Sequence, residues 1–116
     1  MNYPKKIFAI QHNKTKRIYI GSTGNLDRIY LNLMNLLRRG VHPVEDMQKD
    51  YNEHGEDYSV YTLGTIKSAA DKDQEYEWMR TYNSYIRGKG YNYMNRTATR
   101  KCMGVPHKQG LPEEVL

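Results

Sequence analysis

Cysteine, phenylalanine and tryptophan each occur once in this 116-residue chain, and proline occurs four times. The lone thiol, Cys102, excludes an intrachain disulfide and any zinc site built on paired cysteines. It stands in a polar, basic stretch with no histidine or second cysteine beside it, which reads as an incidental thiol. No apolar run approaches the roughly 20 residues that a membrane-spanning helix needs. Met1 to Lys6 lead directly into a strand-like run, without the apolar segment and small-residue cleavage site of a secretory signal. An intracellular, cytoplasmic protein with no membrane contact is therefore expected.

What is present suits one compact domain. Apolar residues make up 38% of the chain and charged residues 27%, so a modest core is available and disorder is not indicated. The formal net charge is +5, which favours polyanions, nucleic acid first among them. Tyrosine is abundant, with 11 residues. Most are expected to pack with the hydroxyl at the edge of a core; stacking on bases is the rarer use.

Lys6 to His12 alternates, placing Ile7, Ala9 and Gln11 on one side and Phe8 and Ile10 on the other. Polar turn residues Asn13 to Lys16 and a second β-rich run, Arg17 to Gly21, complete a hairpin. Ser22-Thr23-Gly24-Asn25 offers a cap, and apolar residues from Leu26 to Leu37 recur with helical spacing before Arg38-Arg39-Gly40 stops the helix. A short acidic helix (43–54), a strand (58–65), a third helix to about Tyr85 and a last extended segment (91–94) follow. The expected fold is α+β, a small, mostly antiparallel sheet flanked by helices, in the order β-β-α-α-β-α-β. Residues 1–95 form the domain, and 96–116 read as a basic, loosely structured tail.

Five features then fall in one order: Tyr19-Ile20-Gly21 at the end of the second strand, Asn25-Leu26 opening the first helix, Asn52-Glu53-His54-Gly55, Glu75 three residues before Trp78, and Gly90-Tyr91-Asn92. In this order they resemble the GIY-YIG nuclease family, homing-endonuclease type, over about Lys6 to Asn95. The resemblance implies a phosphodiester-cleaving site with Tyr19, Glu75 and Asn92 as its catalytic group. Glu75 would hold Mg²⁺ or Mn²⁺, Tyr19 would sit by the attacking water, and Asn92 would support the site. Tyr19 and Glu75 would share a cleft.

Three family positions depart from the pattern. Phe8 stands where the family keeps a tyrosine, Ile29 where it keeps an arginine, and Leu33 where homing-type members often carry histidine. Arg28 is one residue off, which on a helix turns a side chain by about 100°. Ile29 and Leu33, at i and i+4, share one helix face. That face is expected to meet a second copy or another protein, or else to lie under the tail after Asn95. Nucleic acid, DNA ahead of RNA, is the expected partner, with Arg17, Arg28, Arg96, Arg100 and Lys101 as candidate contacts. Three functions stay open: a nucleic-acid-associated protein with an impaired nuclease site, an active metal-dependent endonuclease using another arginine, and a small interaction or inhibitor module of phage or mobile-element origin.

Overall fold

The computed structural model describes residues 4–71 and 73–104. Its centre is β1 (Lys5–His12), where alternation buries both faces. Ile7 and Ala9 go to one side and Phe8 and Ile10 to the other, each at most 1% exposed. A middle strand covered on both faces needs apolar residues at successive positions, as found here. β2 (Ile18–Thr23) pairs antiparallel with β1, from Gln11 opposite Ile18 to Lys6 opposite Thr23. β3 (Tyr58–Ile66) pairs antiparallel on the other side, with a bulge between Ile7 and Phe8. The sheet order is β2-β1-β3. The architecture is α+β, as expected.

The face carrying Phe8 and Ile10 is covered by α1 (Leu26–Arg38) and α2 (Glu45–His54). Asn25 caps α1 by accepting the Arg28 backbone N–H at 3.1 Å. Leu33, Met34 and Leu37 then pack with Val44, Met47 and Tyr91 against Phe8 and Ile10. Gly55 ends α2 with φ of 84°, a conformation that costs glycine little. On the opposite face α3 (Gln74–Tyr82) sends Met79 into a core with Ile7, Ala9, Ile18, Ile20 and Ile66.

Two expectations at the C-terminal end need correction. Tyr91 to Met94 is not a strand: Asn92–Met94 form a single 3₁₀ turn. The edge of β2 that a strand would have covered is closed by Tyr91 N–H on Ile18 O at 2.9 Å and by the Asn92 side chain. The stretch from Arg96 is also not loose, because Arg96–Gly104 is a helix, α4. Ala98 and Cys102, at i and i+4, are fully buried against the α3 side of the sheet, so the thiol is a core residue. It lies 3.6 Å from the Tyr76 carbonyl, and burial raises its pKa. Residues 105–116 of the expected tail lie outside the described residues. Ile18 and Gly90 form an isolated bridge where this segment passes β2; a Cβ at Gly90 would stand 2.3 Å from Ser84 Cα, so only glycine fits.

One charge is buried inside. Asp50 of α2 is 1% exposed and accepts from Arg17 Nη1 at 2.6 Å, Tyr91 O–H at 2.6 Å and Thr15 Oγ1 at 3.1 Å. The network ties the hairpin turn, α2 and the segment after α3 together. The hydrogen bond to Asp50 is the main cause holding the Arg17 pKa above its usual value. Beside it the His12 ring, also buried, uses both nitrogens: Nδ1 accepts the Lys14 N–H at 3.1 Å, and Nε2 is 3.3 Å from Gly55 O.

Candidate active site

Tyr19 leaves β2 on the face that carries Phe8, and the two rings lie 6.0 Å apart at 42°. Phe8 is paired across the sheet with Gly21. A Cβ at Gly21 would come within 2.8 Å of Phe8 Cζ, so the ring occupies the space above the glycine. Tyr19 lines a cavity of about 240 Å³ together with Val44, Tyr91, Asn92 and Asn95. Burial raises the pKa of its phenol first, and the negative charge of Glu75 raises it further. Tyr19 is therefore a neutral hydroxyl at physiological pH.

Glu75 lies in the first turn of α3 and is half-buried. Ser22 Oγ donates to its Oε1 at 2.7 Å. Strand alternation sends Tyr19 and Ser22 to opposite faces of β2. Glu75 consequently reaches Tyr19 through its field, and no hydrogen bond joins the two side chains. The expectation that Tyr19 and Glu75 share a cleft is corrected here: Glu75 does not line the Tyr19 cavity, whose walls come from the loop before α2 and the segment around Asn92. Its second carboxylate oxygen has no hydrogen-bond partner among the described residues. Among the described residues no group of three or more His, Cys, Asp or Glu side chains is placed to share a metal. A single carboxylate with one oxygen available suits a hard cation that keeps most of its waters and takes phosphate oxygens from a substrate. It does not suit an ion that needs an all-protein cage.

Asn92 is 5% exposed and makes a two-point contact with one residue. Its Oδ1 accepts the Ile20 N–H at 2.9 Å, and its Nδ2 donates to Ile20 O at 2.9 Å. The amide thus stands in for a neighbouring strand and holds the backbone directly after Tyr19.

Sequence comparison gives 26% identity over 105 residues with intron-associated endonuclease 1 of Enterobacteria phage T4, covering 89% of this chain. The chain spans only 42% of that relative's length. No protein-family model matches. Among solved structures, the catalytic domain of intron endonuclease I-TevI, as its E75A mutant, superposes with TM-score 0.68 at 24% identity, over 78% of this chain and 94% of that one. A second structure of the catalytic domain of homing endonuclease I-TevI gives TM-score 0.65 at 24% identity, over 75% and 95%. This chain has the fold of those catalytic domains, and both comparisons agree with the resemblance to the GIY-YIG nucleases.

Within the GIY-YIG fold the three departing positions are all inward. Phe8 is 1% and Leu33 8% exposed, and Ile29 is half-buried in the same cluster as Tyr19. The expected apolar interface is thereby corrected. The Ile29 and Leu33 face packs on the chain's own sheet core, so neither a partner nor the tail is needed to cover it. The reason is the placement of α1, whose inward stripe runs from Ile29 through Leu33 and Met34 to Leu37.

The cationic candidates separate into two groups. Arg17 is engaged by Asp50, and Lys101 by Asp73 at 3.7 Å and by the Tyr76 ring. Arg28, Arg96 and Arg100 are exposed and form no ion pair among the described residues. Arg96 and Arg100 stand one helical turn apart on α4.

Three site-related residues were not singled out from the sequence. Ser22 and Asp50 act through contacts with residues more than 30 positions away, which no local pattern records. His42 is 8% exposed, accepts the Val44 N–H on Nδ1 at 3.0 Å and has no partner for Nε2 among the described residues. Burial lowers its pKa, so it is a neutral imidazole beside the Pro43-Val44 wall of the Tyr19 cavity. The only sequence signal was a histidine preceding a proline just ahead of a helix.

Proposed function

We propose that this chain is a nucleic-acid-associated GIY-YIG protein of mobile-element type, acting inside the cell on DNA, with an impaired endonuclease site. The observation that carries the reading is the apolar wall around Tyr19: Phe8, Ile29 and Leu33 fill the first core where a hydroxyl, a cation and an imidazole would be needed. Phosphodiester cleavage requires a positioned water, positive charge at the phosphate and a held leaving group. Losing one preorganised electrostatic donor costs about 10²–10³ in rate, and the losses within one site do not simply multiply.

What remains is a partial site. Tyr19 contributes a neutral hydroxyl that can hydrogen-bond a water. Asn92 fixes the strand behind it, and Ser22 fixes one oxygen of Glu75. Mg²⁺ or Mn²⁺ bound at Glu75 would supply Lewis acidity toward a phosphate oxygen. Arg28, Arg96 and Arg100 are available to phosphates of the backbone, which position a strand without reading its sequence.

A second reading, an active Mg²⁺- or Mn²⁺-dependent endonuclease, is favoured by one observation. Tyr19 and Glu75 are both present, and the negative charge of Glu75 adds to burial in raising the Tyr19 pKa. Incubation with supercoiled plasmid and either cation, with Glu75→Ala as control, separates the two. Salt-dependent DNA binding with little or no nicking supports the impaired site. Rapid nicking that disappears in Glu75→Ala establishes the active enzyme instead.

A further inference from the structure

A second cavity, of about 260 Å³, opens on the sheet face that α3 covers. Its floor is apolar, formed by Ala9 and Ile18, and its walls include Gln11, Leu63, Tyr61 and Tyr82. None of the lining side chains is charged. Tyr61 and Tyr82 are 47% and 44% exposed, so both rings stand at the rim. The Tyr82 ring is held by Trp78, one turn earlier on α3, at 6.0 Å and 15°. Gln11 Nε2 donates to Lys16 O at 3.0 Å, which leaves the Gln11 carbonyl as an acceptor without a partner among the described residues. The same bond brings the hairpin turn to the cavity's edge. Lys14 and Lys16 of that turn are exposed and form no ion pair among the described residues.

An apolar floor, two aromatic rings, an open amide acceptor and cations outside an uncharged lining complement a flat heterocycle whose phosphates stay in water. We propose that this cavity binds one unstacked nucleobase of a single-stranded nucleic acid. Aromatic rings take any base by its face, and the Gln11 carbonyl adds a hydrogen-bond acceptor for a base N–H. Tyr82 lies seven residues after Glu75 on α3, which places it on nearly the same helix face and about 10 Å further along the axis. A base seated here therefore sets a strand running toward Glu75. The inference rests on the nucleic-acid reading above.

Trp78 is the only tryptophan and stacks on a wall of the cavity, so its emission reports occupancy. The full chain is titrated at low salt with a short deoxyadenosine oligonucleotide and with an abasic strand of equal length. The expected result is a Trp78 response to the first and not to the second. Tyr61→Leu and Tyr82→Leu should each weaken the oligonucleotide by roughly tenfold while the circular dichroism stays unchanged. Equal responses to both strands, or two folded variants with unaltered affinity, would overturn the pocket. Duplex binding measured by anisotropy separates the two claims. Salt-dependent duplex binding with a silent Trp78 overturns the pocket alone, and failure to bind any strand overturns both.

Discussion

Removing the Asp50 carboxylate tests whether the buried network holds the domain together. Asp50→Ala deletes an acceptor for Arg17, Tyr91 and Thr15 at 2.6, 2.6 and 3.1 Å. Breaking a buried ion pair from one side costs about 3–5 kcal/mol, because the remaining partner stays desolvated. Here the Arg17 side chain is 29% exposed and recovers part of its hydration, so the lower end applies. The Tyr91 hydroxyl is left inside with only the Thr15 hydroxyl as a partner, which adds about 1 kcal/mol or less. A loss of about 3–4 kcal/mol is expected, equivalent to a melting point roughly 12–30 °C lower at this chain length. Asp50→Asn keeps an oxygen for Tyr91 and Thr15 and loses the ion pair, so it should cost about half as much. Urea unfolding with a constant slope against denaturant is the assay. A loss below about 1 kcal/mol for Asp50→Ala would show that the network is dispensable and refute the reasoning.

Three further outcomes follow from single contacts. Gly21→Ala should destabilise by about 1–3 kcal/mol because its Cβ meets the buried Phe8 ring. In a Phe8→Leu background the same change should cost less, which a double-mutant cycle in urea would show. Tyr91 and Tyr58 have phenol pKa values raised by burial first and by Asp50 next. Their folded values lie above the unfolded value near 10, so the stability they contribute is present below about pH 10 and lost as pH rises through the folded values. Tyr91→Phe should make the alkaline fall shallower by up to about 1.4 kcal/mol per pH unit in unfolding titrations. For His42 the sign is opposite: its folded pKa is lowered by burial, so its contribution is present above about pH 6.5 and is lost as pH falls toward the folded value. His42→Asn retains an acceptor for the Val44 N–H and should flatten the loss of stability between about pH 7 and 5.

Local signals carried much of the fold. The alternation in Lys6 to His12 and the four-residue turn gave the hairpin. The capping stretch Ser22 to Asn25 gave the start of α1, and Gly55 the end of α2, because each depends on residues within one turn. The last segment failed for the opposite reason. Asn92 mimics strand pairing with a side chain, and its partner Ile20 is 72 positions away. The helix at Arg96–Gly104 was masked by charge. Only Ala98 and Cys102 face the core, and two small apolar residues among Arg, Lys and Thr read as a solvated run. At the site, the motif spacing placed Tyr19, Glu75 and Asn92 near β2. It could not show that Ser22 holds Glu75, that Asn92 bonds the strand, or that Ile29 and Leu33 point into the molecule. The fate of Arg17 was equally hidden, since a cation's availability depends on whether a distant carboxylate has claimed it.

The central claim is that hydrolysis is limited by the apolar wall around Tyr19 while the rest of the GIY-YIG fold is sound. Single-turnover nicking of supercoiled plasmid in Mg²⁺ by the native chain and by Phe8→Tyr/Ile29→Arg tests it most directly. Ile29 is half-buried, so an arginine there can extend its head toward water. The restored variant is predicted to cut about 10² times faster or more, with the gain abolished by Glu75→Ala. Equal rates for the two proteins, with both folded and both binding the plasmid, would contradict the account.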